Sequence, residues 1–319
     1  MADIPPIIET RALTRDFKKT RAVDSLSVSI PPGELFGLVG PDGAGKTTSL
    51  RLLAGLLDIS AGEARVAGYD LARQAEEVKR KIGYMAQRFS LYGELSVAEN
   101  LAFFADLYDV DRSALQERTQ ELLAFAGLTE FTDRRAGQLS GGMQKKLALA
   151  CTLIHRPDIL LLDEPTTGVD PVSRREFWDI LTGLHLDGTT VVVSTPYMDE
   201  ADRCSRVGLM YEGRMIICDE PQQIRARIAG ELIELQPEDW QQAYALVETL
   251  PGVLEVQTYG DLLRVFVDSA GKRLPQIRAA LDAHGLAYRS ARPATPHMEE
   301  AFISLITHLD AASADGEVR

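Results

Sequence analysis

The sequence predicts an α/β protein in which buried parallel strands alternate with helices. An antiparallel β subdomain precedes them, a helical insert interrupts them, and a small α+β unit follows. Three observations carry this. Residues 35–39 form an apolar strand that runs straight into a glycine-rich loop and then into helical periodicity. Residues 159–162 and 189–194 are apolar or β-branched runs separated by a polar helical stretch, the pattern of strands covered on both faces. After Pro221 the segments change to strand, helix, strand, strand, helix, strand.

In chain order, residues 7–30 alternate apolar and polar character through Val23, Leu26, Val28 and Ile30. They stop at Pro31-Pro32-Gly33, which predicts antiparallel strands closed by a turn. Residues 48–57 read as the helix behind the glycine loop. Residues 89–136 are mostly helical, with Leu101, Phe104, Leu107 and Tyr108, then Leu122, Leu123, Phe125 and Ala126, as apolar faces. Beyond Pro221, strands at 232–235, 253–259, 262–267 and 287–291 and helices at 239–250 and 274–284 give a ferredoxin-like βαββαβ order. A helical stretch at 298–309 precedes a polar tail, 310–319, expected to fray. The domains are therefore 1–222, with a helical subdomain at about 88–138, then 223–309 and the flexible tail 310–319.

The 319 residues suffice for one large core and one small one, and 45% hydrophobic with 25% charged residues is an ordinary globular balance. No apolar run approaches the roughly 18–20 residues needed to cross a bilayer, so a membrane role is peripheral. The first ten residues carry acids and prolines where a secretory leader carries positive charge, which predicts that none is present. Net charge of −13, from 34 basic and 47 acidic residues, opposes binding to nucleic acid. Cys151, Cys204 and Cys218 have no paired spacing and read as thiols in a reducing compartment. The five histidines show no metal-ligand spacing.

The chemistry lies in three motifs. Gly40-Pro41-Asp42-Gly43-Ala44-Gly45-Lys46-Thr47 has phosphate-loop spacing: glycines let backbone N–H groups wrap phosphates, Lys46 reaches the outer ones, and the Thr47 hydroxyl serves magnesium. With a strand before it and a helix after it, the loop marks a P-loop NTPase core. Asp42 sits oddly beside a polyanion, but its side chain can turn inward on its own backbone, as aspartate does in turns, and so need not oppose the nucleotide. Asp163 ends an apolar strand where open α/β sheets place ligands, and it can hold magnesium through water. Glu164, one residue on, can orient or deprotonate an attacking water. Ser140-Gly141-Gly142 opens a helical stretch bearing Leu147, Leu149, Ala150 and Leu153, a second helix start suited to an anion.

These residues, in this order, resemble the ATP-binding subunits of ABC transporters over about residues 7–222. The resemblance implies ATP and Mg2+ as ligands, with Gly40 to Thr47 and then Thr48 on the phosphates. It gives Thr47, Gln87 and Asp163 to magnesium, and Glu164 with Gln87 to catalysis. Gln87, in Gly83-Tyr84-Met85-Ala86-Gln87, matches the residue that senses magnesium and the membrane partner. Asp170, in Gly168-Val169-Asp170-Pro171, matches a dimer-contacting loop, and Phe17 matches the aromatic stacked on adenine. Leu139 to Gln144 matches the family signature, with Met143 where glutamine is commoner, as in drug and polysaccharide exporters. The family signature binds the ATP of the opposite subunit, so Ser140, Gly141 and Gly142 serve a partner's nucleotide. Residues 89–101 (Phe89, Leu91, Tyr92, Leu95, Val97) would offer a groove to a membrane subunit.

One position departs from the family. Ser194-Thr195-Pro196-Tyr197 has proline where the resemblance expects the histidine that contacts the γ-phosphate. Proline has no side-chain donor and no N–H, so the site hydrolyses slowly, Thr195 or a water substitutes, or Glu164 and magnesium suffice. The expected function is an ATP-hydrolysing subunit that energises a membrane exporter of drugs or lipid-like compounds, at the cytoplasmic face of the inner membrane. Its expected partners are transmembrane permease subunits and a second ATPase subunit, either a copy of itself or a histidine-bearing one, and no nucleic acid. Two alternatives stay open: a non-transport ABC ATPase acting on ribosomes or DNA, and a degenerate ATP-binding regulatory subunit. The C-terminal unit shows no catalytic pattern and is expected to dimerise or regulate.

Overall fold

The computed structural model describes residues 5–88, 91–228 and 230–316, in two units, Met1–Pro221 and Gln222–Arg319. In the first, β1 (Ile8–Phe17) and β2 (Thr20–Ile30) pair antiparallel, with Ile8 opposite Ile30 and Phe17 opposite Thr20. The alternation in β2 buries Leu26, Val28 and Ile30 on one face. β3 (Leu35–Val39) is buried at every position and feeds the glycine loop, from which α1 (Lys46–Leu53) departs. β4 (Ala61–Val66) and β5 (Tyr69–Asp70) complete a four-stranded sheet of order β2-β1-β4-β5. α2 (Ala75–Lys81) then leads into β6 (Ile82–Met85).

The helical insert comes next. α3 (Val97–Leu107) begins with a capping box in which the Ser96 hydroxyl accepts the Glu99 N–H and the Glu99 carboxylate accepts that of Ser96. α4 (Arg112–Ala126) ends at Gly127 in the left-handed conformation. α5 (Gly141–Leu153) returns the chain to the core, with Leu147, Leu149, Ala150 and Leu153 buried. β7 (Ile159–Asp163), α6 (Pro171–Leu186), β8 (Thr190–Thr195), α7 (Met198–Ala201), β9 (Arg206–Tyr211) and β10 (Arg214–Asp219) finish the unit.

The central sheet has the order β10-β9-β3-β8-β7-β6, parallel throughout except for the antiparallel edge strand β10. Its register sets Val39 beside Thr195 and Asp163 beside Ser194. The carboxyl ends of β3, β8 and β7 therefore meet, where α/β sheets place ligands.

The second unit starts in α8 (Pro221–Arg225), whose first residue belongs to the first unit. It continues with β11 (Glu231–Pro237), α9 (Trp240–Val247), β12 (Val253–Tyr259), β13 (Leu262–Val267), α10 (Ala270–Ala283), β14 (Tyr288–Ala294) and α11 (Met298–Gly316). The sheet order β12-β13-β11-β14, antiparallel throughout, is the βαββαβ arrangement. On one face Leu263, Val265 and Val267 join Ala243, Val247, Ile277 and Leu281 of α9 and α10. The intervening Arg264 is also buried, and its guanidinium meets Glu300 of α11 at 2.5 Å.

Two boundaries differ from the sequence reading. α10 begins at Ala270, not residue 274, and carries Pro275 inside it. α11 runs to Gly316 through residues expected to fray, because Ala311, Ala312 and Ala314 favour helix. Among the described residues no helix is long and apolar enough to cross a membrane.

Candidate nucleotide site

The glycine loop leaves β3 with the Gly40 N–H donating to the Thr195 carbonyl (3.3 Å) and the Ala44 N–H to that of Pro41 (3.2 Å). Gly45, the residue before α1, has φ of 99°, and a side chain there would run into the Ala22 carbonyl. Glycine is required at that position on both counts. The loop walls a cleft of about 380 Å³ that also includes Thr20, Ala22, Glu164 and Gly213. Asp42 is exposed.

Lys46 and Glu164 are buried together, with side-chain exposures of 3% and 7% and 3.5 Å between Nζ and Oε1. The Lys46 ammonium also donates to the Gly40 and Pro41 carbonyls at 2.8 and 2.9 Å. Its ammonium therefore faces the loop carbonyls and Glu164, contacts that a phosphate could replace. Thr47 donates from Oγ1 to Asp163 Oδ1 at 2.9 Å, joining α1 to β7. Asp163 Oδ1 also accepts from the Ser194 hydroxyl at 2.9 Å, and Tyr84 donates to Oδ2 at 3.4 Å.

Glu164 adopts φ of 46°, a conformation that a side-chain-bearing residue keeps only when its surroundings impose it. Here they do. Its N–H donates to both the carbonyl and the hydroxyl of Ser194 at 3.1 Å, while Gln87 Nε2 donates to Oε2 at 2.7 Å and Thr167 Oγ1 at 3.3 Å. With the amide nitrogen so engaged, Gln87 has its amide oxygen for a cation. Magnesium takes one or two carboxylates with hydroxyl, amide, phosphate and water oxygens, so the donor set of Thr47, Asp163 and Gln87 fits it. That set needs no dense acidic cluster, and among the described residues no group of three His, Cys, Asp or Glu forms one.

The remaining sequence candidates lie further out. Ser140 is the exposed N-cap of α5, its hydroxyl accepting the Met143 N–H at 3.3 Å, and Gly141 is exposed beside it. Gly142 is buried, and a Cβ there would stand 2.6 Å from Ser173 at the start of α6. Asp170 caps α6 by accepting the N–H groups of Val172 and Ser173 at 3.1 and 3.0 Å, and the latter's hydrogen bond holds its carboxyl below the usual range. Phe17, 41% exposed, carries the Arg15 guanidinium 4.6 Å from its ring centre, and its register partner Thr20 lines the cleft. In the expected groove Val97 is buried, while Tyr92 is 50% exposed and meets Phe103 edge-on at 4.7 Å. Phe89 lies outside the described residues.

At the switch position Pro196 is followed by a buried network. Thr195 donates to Glu200 Oε2 at 2.5 Å, Thr166 and Arg174 donate to Glu200 Oε1 at 2.8 and 2.6 Å, and Arg174 also pairs with Asp199 at 2.7 Å. The Thr195 hydroxyl is thereby directed inward, toward Glu200. Sequence reasoning missed Ser194 and Glu200. Ser194 was legible only as the polar end of a strand neighbouring the acids, and no local pattern marks Glu200 as buried.

A parallel sheet whose carboxyl edge carries a wrapped glycine loop, an inward lysine and two acids held by a shared serine defines a P-loop nucleotide-binding protein. Comparison with known proteins narrows the class. The ABC transporter family profile matches residues 23–167. The chain is 34% identical over 306 residues, 94% of its own length and 92% of the other's, to the daunorubicin/doxorubicin resistance ATP-binding protein DrrA of Streptomyces peucetius. It is 42% identical over 225 residues to the probable multidrug ABC transporter ATP-binding protein YbhF of Escherichia coli K12, which covers 70% of this chain but only 39% of that one. The dimeric post-hydrolysis structure of the ATP-binding cassette MJ0796 with ADP and Pi superposes with a TM-score of 0.62 and 26% identity, over 67% of this chain and 98% of that one. The chain belongs to the ATP-binding proteins of the ABC transporter family.

Proposed function

We propose that the chain is the ATP-hydrolysing subunit of a membrane exporter, working in a pair of ATPase subunits beneath transmembrane permease subunits. The observation that carries this is the link Lys46–Glu164–Gln87, with Thr47 and Asp163 alongside. Backbone N–H groups of the loop and the Lys46 ammonium bind the β- and γ-phosphates. Thr47, Asp163 and Gln87 would hold magnesium, which would neutralise charge on those phosphates. Glu164 takes the proton of the attacking water, and Gln87 and Thr167 aim its carboxylate. Ser140 and Gly141, exposed at the start of α5, complete the site on the opposite subunit. Relatives named for drug resistance favour drugs as the cargo class. The exposed Tyr92–Phe103 pair is the favoured seat for a permease helix, consistent with peripheral association at a membrane.

The test is phosphate release by the purified chain with Mg–ATP. Glu164→Gln lowers turnover by about a hundred-fold or more while ATP binding persists, the scale of a lost general base. Retained turnover would remove Glu164 from the chemistry.

A second reading draws on one observation. With Pro196 unable to donate and Thr195 committed to Glu200, this chain's own site is the weaker of two, paired with a histidine-bearing subunit.

A further inference from the structure

Lys145 stands five residues beyond Ser140 on α5 and is 9% exposed, an uncommon place for an ammonium. Among the described residues it has no carboxylate within ion-pair distance. Its Nζ donates instead to the main-chain carbonyl of Gln87 at 2.6 Å. Burial pushes its pKa down, and the nearby charges of Asp163 and Glu164 act against that. Lys146 reaches the other way, to Glu176 of α6 at 2.5 Å.

Taken with the Gln87 amide, these bonds make a continuous chain. Lys145 fixes the Gln87 backbone, and Gln87 Nε2 holds Glu164 Oε2 at 2.7 Å. From Ser140 to Lys145 is a rise of about 7.5 Å along hydrogen-bonded helix, so a displacement at one end is carried to the other. A lysine desolvated for a single carbonyl is a costly way to pack a helix, since an apolar side chain of similar length fills the same space without a buried charge.

We propose that Lys145 is a positioning residue that ties α5 to the catalytic carboxylate through Gln87, so that nucleotide engaged at Ser140 sets Glu164 in the chain's own site. The proposal rests on the two-subunit reading above, but its first link lies within one chain and is measurable without turnover.

The experiment compares full-length wild type, Lys145→Met and Lys145→Arg by hydrogen exchange of residues 82–88, ATP affinity and Mg–ATP turnover. Lys145→Met speeds exchange around Gln87 several-fold and lowers turnover about ten-fold, with ATP affinity within about two-fold; Lys145→Arg recovers most of both. Wild-type exchange in Lys145→Met overturns the proposal. So does a parallel fall in affinity, turnover and urea midpoint that arginine does not rescue, which would make Lys145 a packing residue. If the wild type releases no phosphate, the hydrolysis reading fails by itself, and the exchange measurement alone decides Lys145.

Discussion

At the phosphate loop, Lys46, Thr47, Asp163 and Glu164 are joined to one another and to Gln87 and Ser194 by bonds of 2.7–3.5 Å between their side chains. At the start of α5, Ser140 and Gly141 stand exposed, and the Ser140 hydroxyl accepts the Met143 N–H of its own helix. One half-site is complete in its internal bonding, while the other presents donors to solvent. Buried polar groups need partners from the same chain, whereas an exposed helix start can await a partner's anion. The contrast is what a chain would show if it owned one half of each of two shared sites.

Mixing two inactive variants breaks or sharpens that contrast with the largest effect. Lys46→Ala disables a chain's own loop, and Ser140→Arg blocks what it offers to another. Each alone is inactive in a symmetric pair. Random pairing of the two restores about a quarter of wild-type turnover, the share of composite sites with both halves intact. No restoration places the whole site in one chain. Gly142 is the wrong residue for this test, because a substituent there strikes Ser173 of the same chain.

Pro196→His gives the next largest effect. A histidine there adds a donor beside the phosphate loop, whose Gly40 N–H already meets the Thr195 carbonyl. Turnover of the purified chain rises about ten-fold, a modest fraction of what one transition-state donor supplies elsewhere. An unchanged rate means that Glu164 with its neighbours suffices, and the two half-sites then differ in exposure but not in competence.

The phosphate loop and acids were legible because their chemistry needs particular residue types at fixed spacing. The Gly45 conformation, the Lys46 reach and the Asp163 strand end are local requirements that leave local patterns. The bonds that aim these groups leave none. Lys145 and Gln87 are 58 residues apart, Ser194 and Asp163 31 apart, and Glu200 acquires its burial only when α6 and α7 pack. Thr195 illustrates the same limit, since its bond to Glu200, five residues on, depends on the burial of that carboxylate. In the second unit the strand and helix order was legible from alternation, but α10 began before its expected start and α11 ran past its expected end. Apolar periodicity marks the faces of helices and says little about polar turns at their termini.

The smallest effect concerns how the outward half-site is fastened to the inward one. His155, just beyond α5, stacks on Tyr108 at 3.8 Å and bonds through Nε2 to the carbonyl of Ile82, the first residue of β6, which leads to Gln87. Its Nδ1 is buried without a partner, so the neutral ring with its proton on Nε2 is the form that fits. Burial, with Arg118 nearby, pushes the imidazole below its ordinary value of about 6.5 despite the Ile82 bond. A depressed folded pKa means the unfolded chain takes up the proton first. Stability is full above about pH 6.5 and declines as pH falls toward the folded value, by on the order of 1 kcal/mol per pH unit for one proton. Urea midpoints of wild type and His155→Phe between pH 7.5 and 5.5 isolate this contribution from the titration of the many carboxylates. The wild-type slope exceeds that of the variant, and hydrogen exchange in α3 and α5 rises before exchange in β3 and β7. Equal slopes would remove His155 as the fastening, and simultaneous loosening of all four elements would mean that the two half-sites share a single cooperative core.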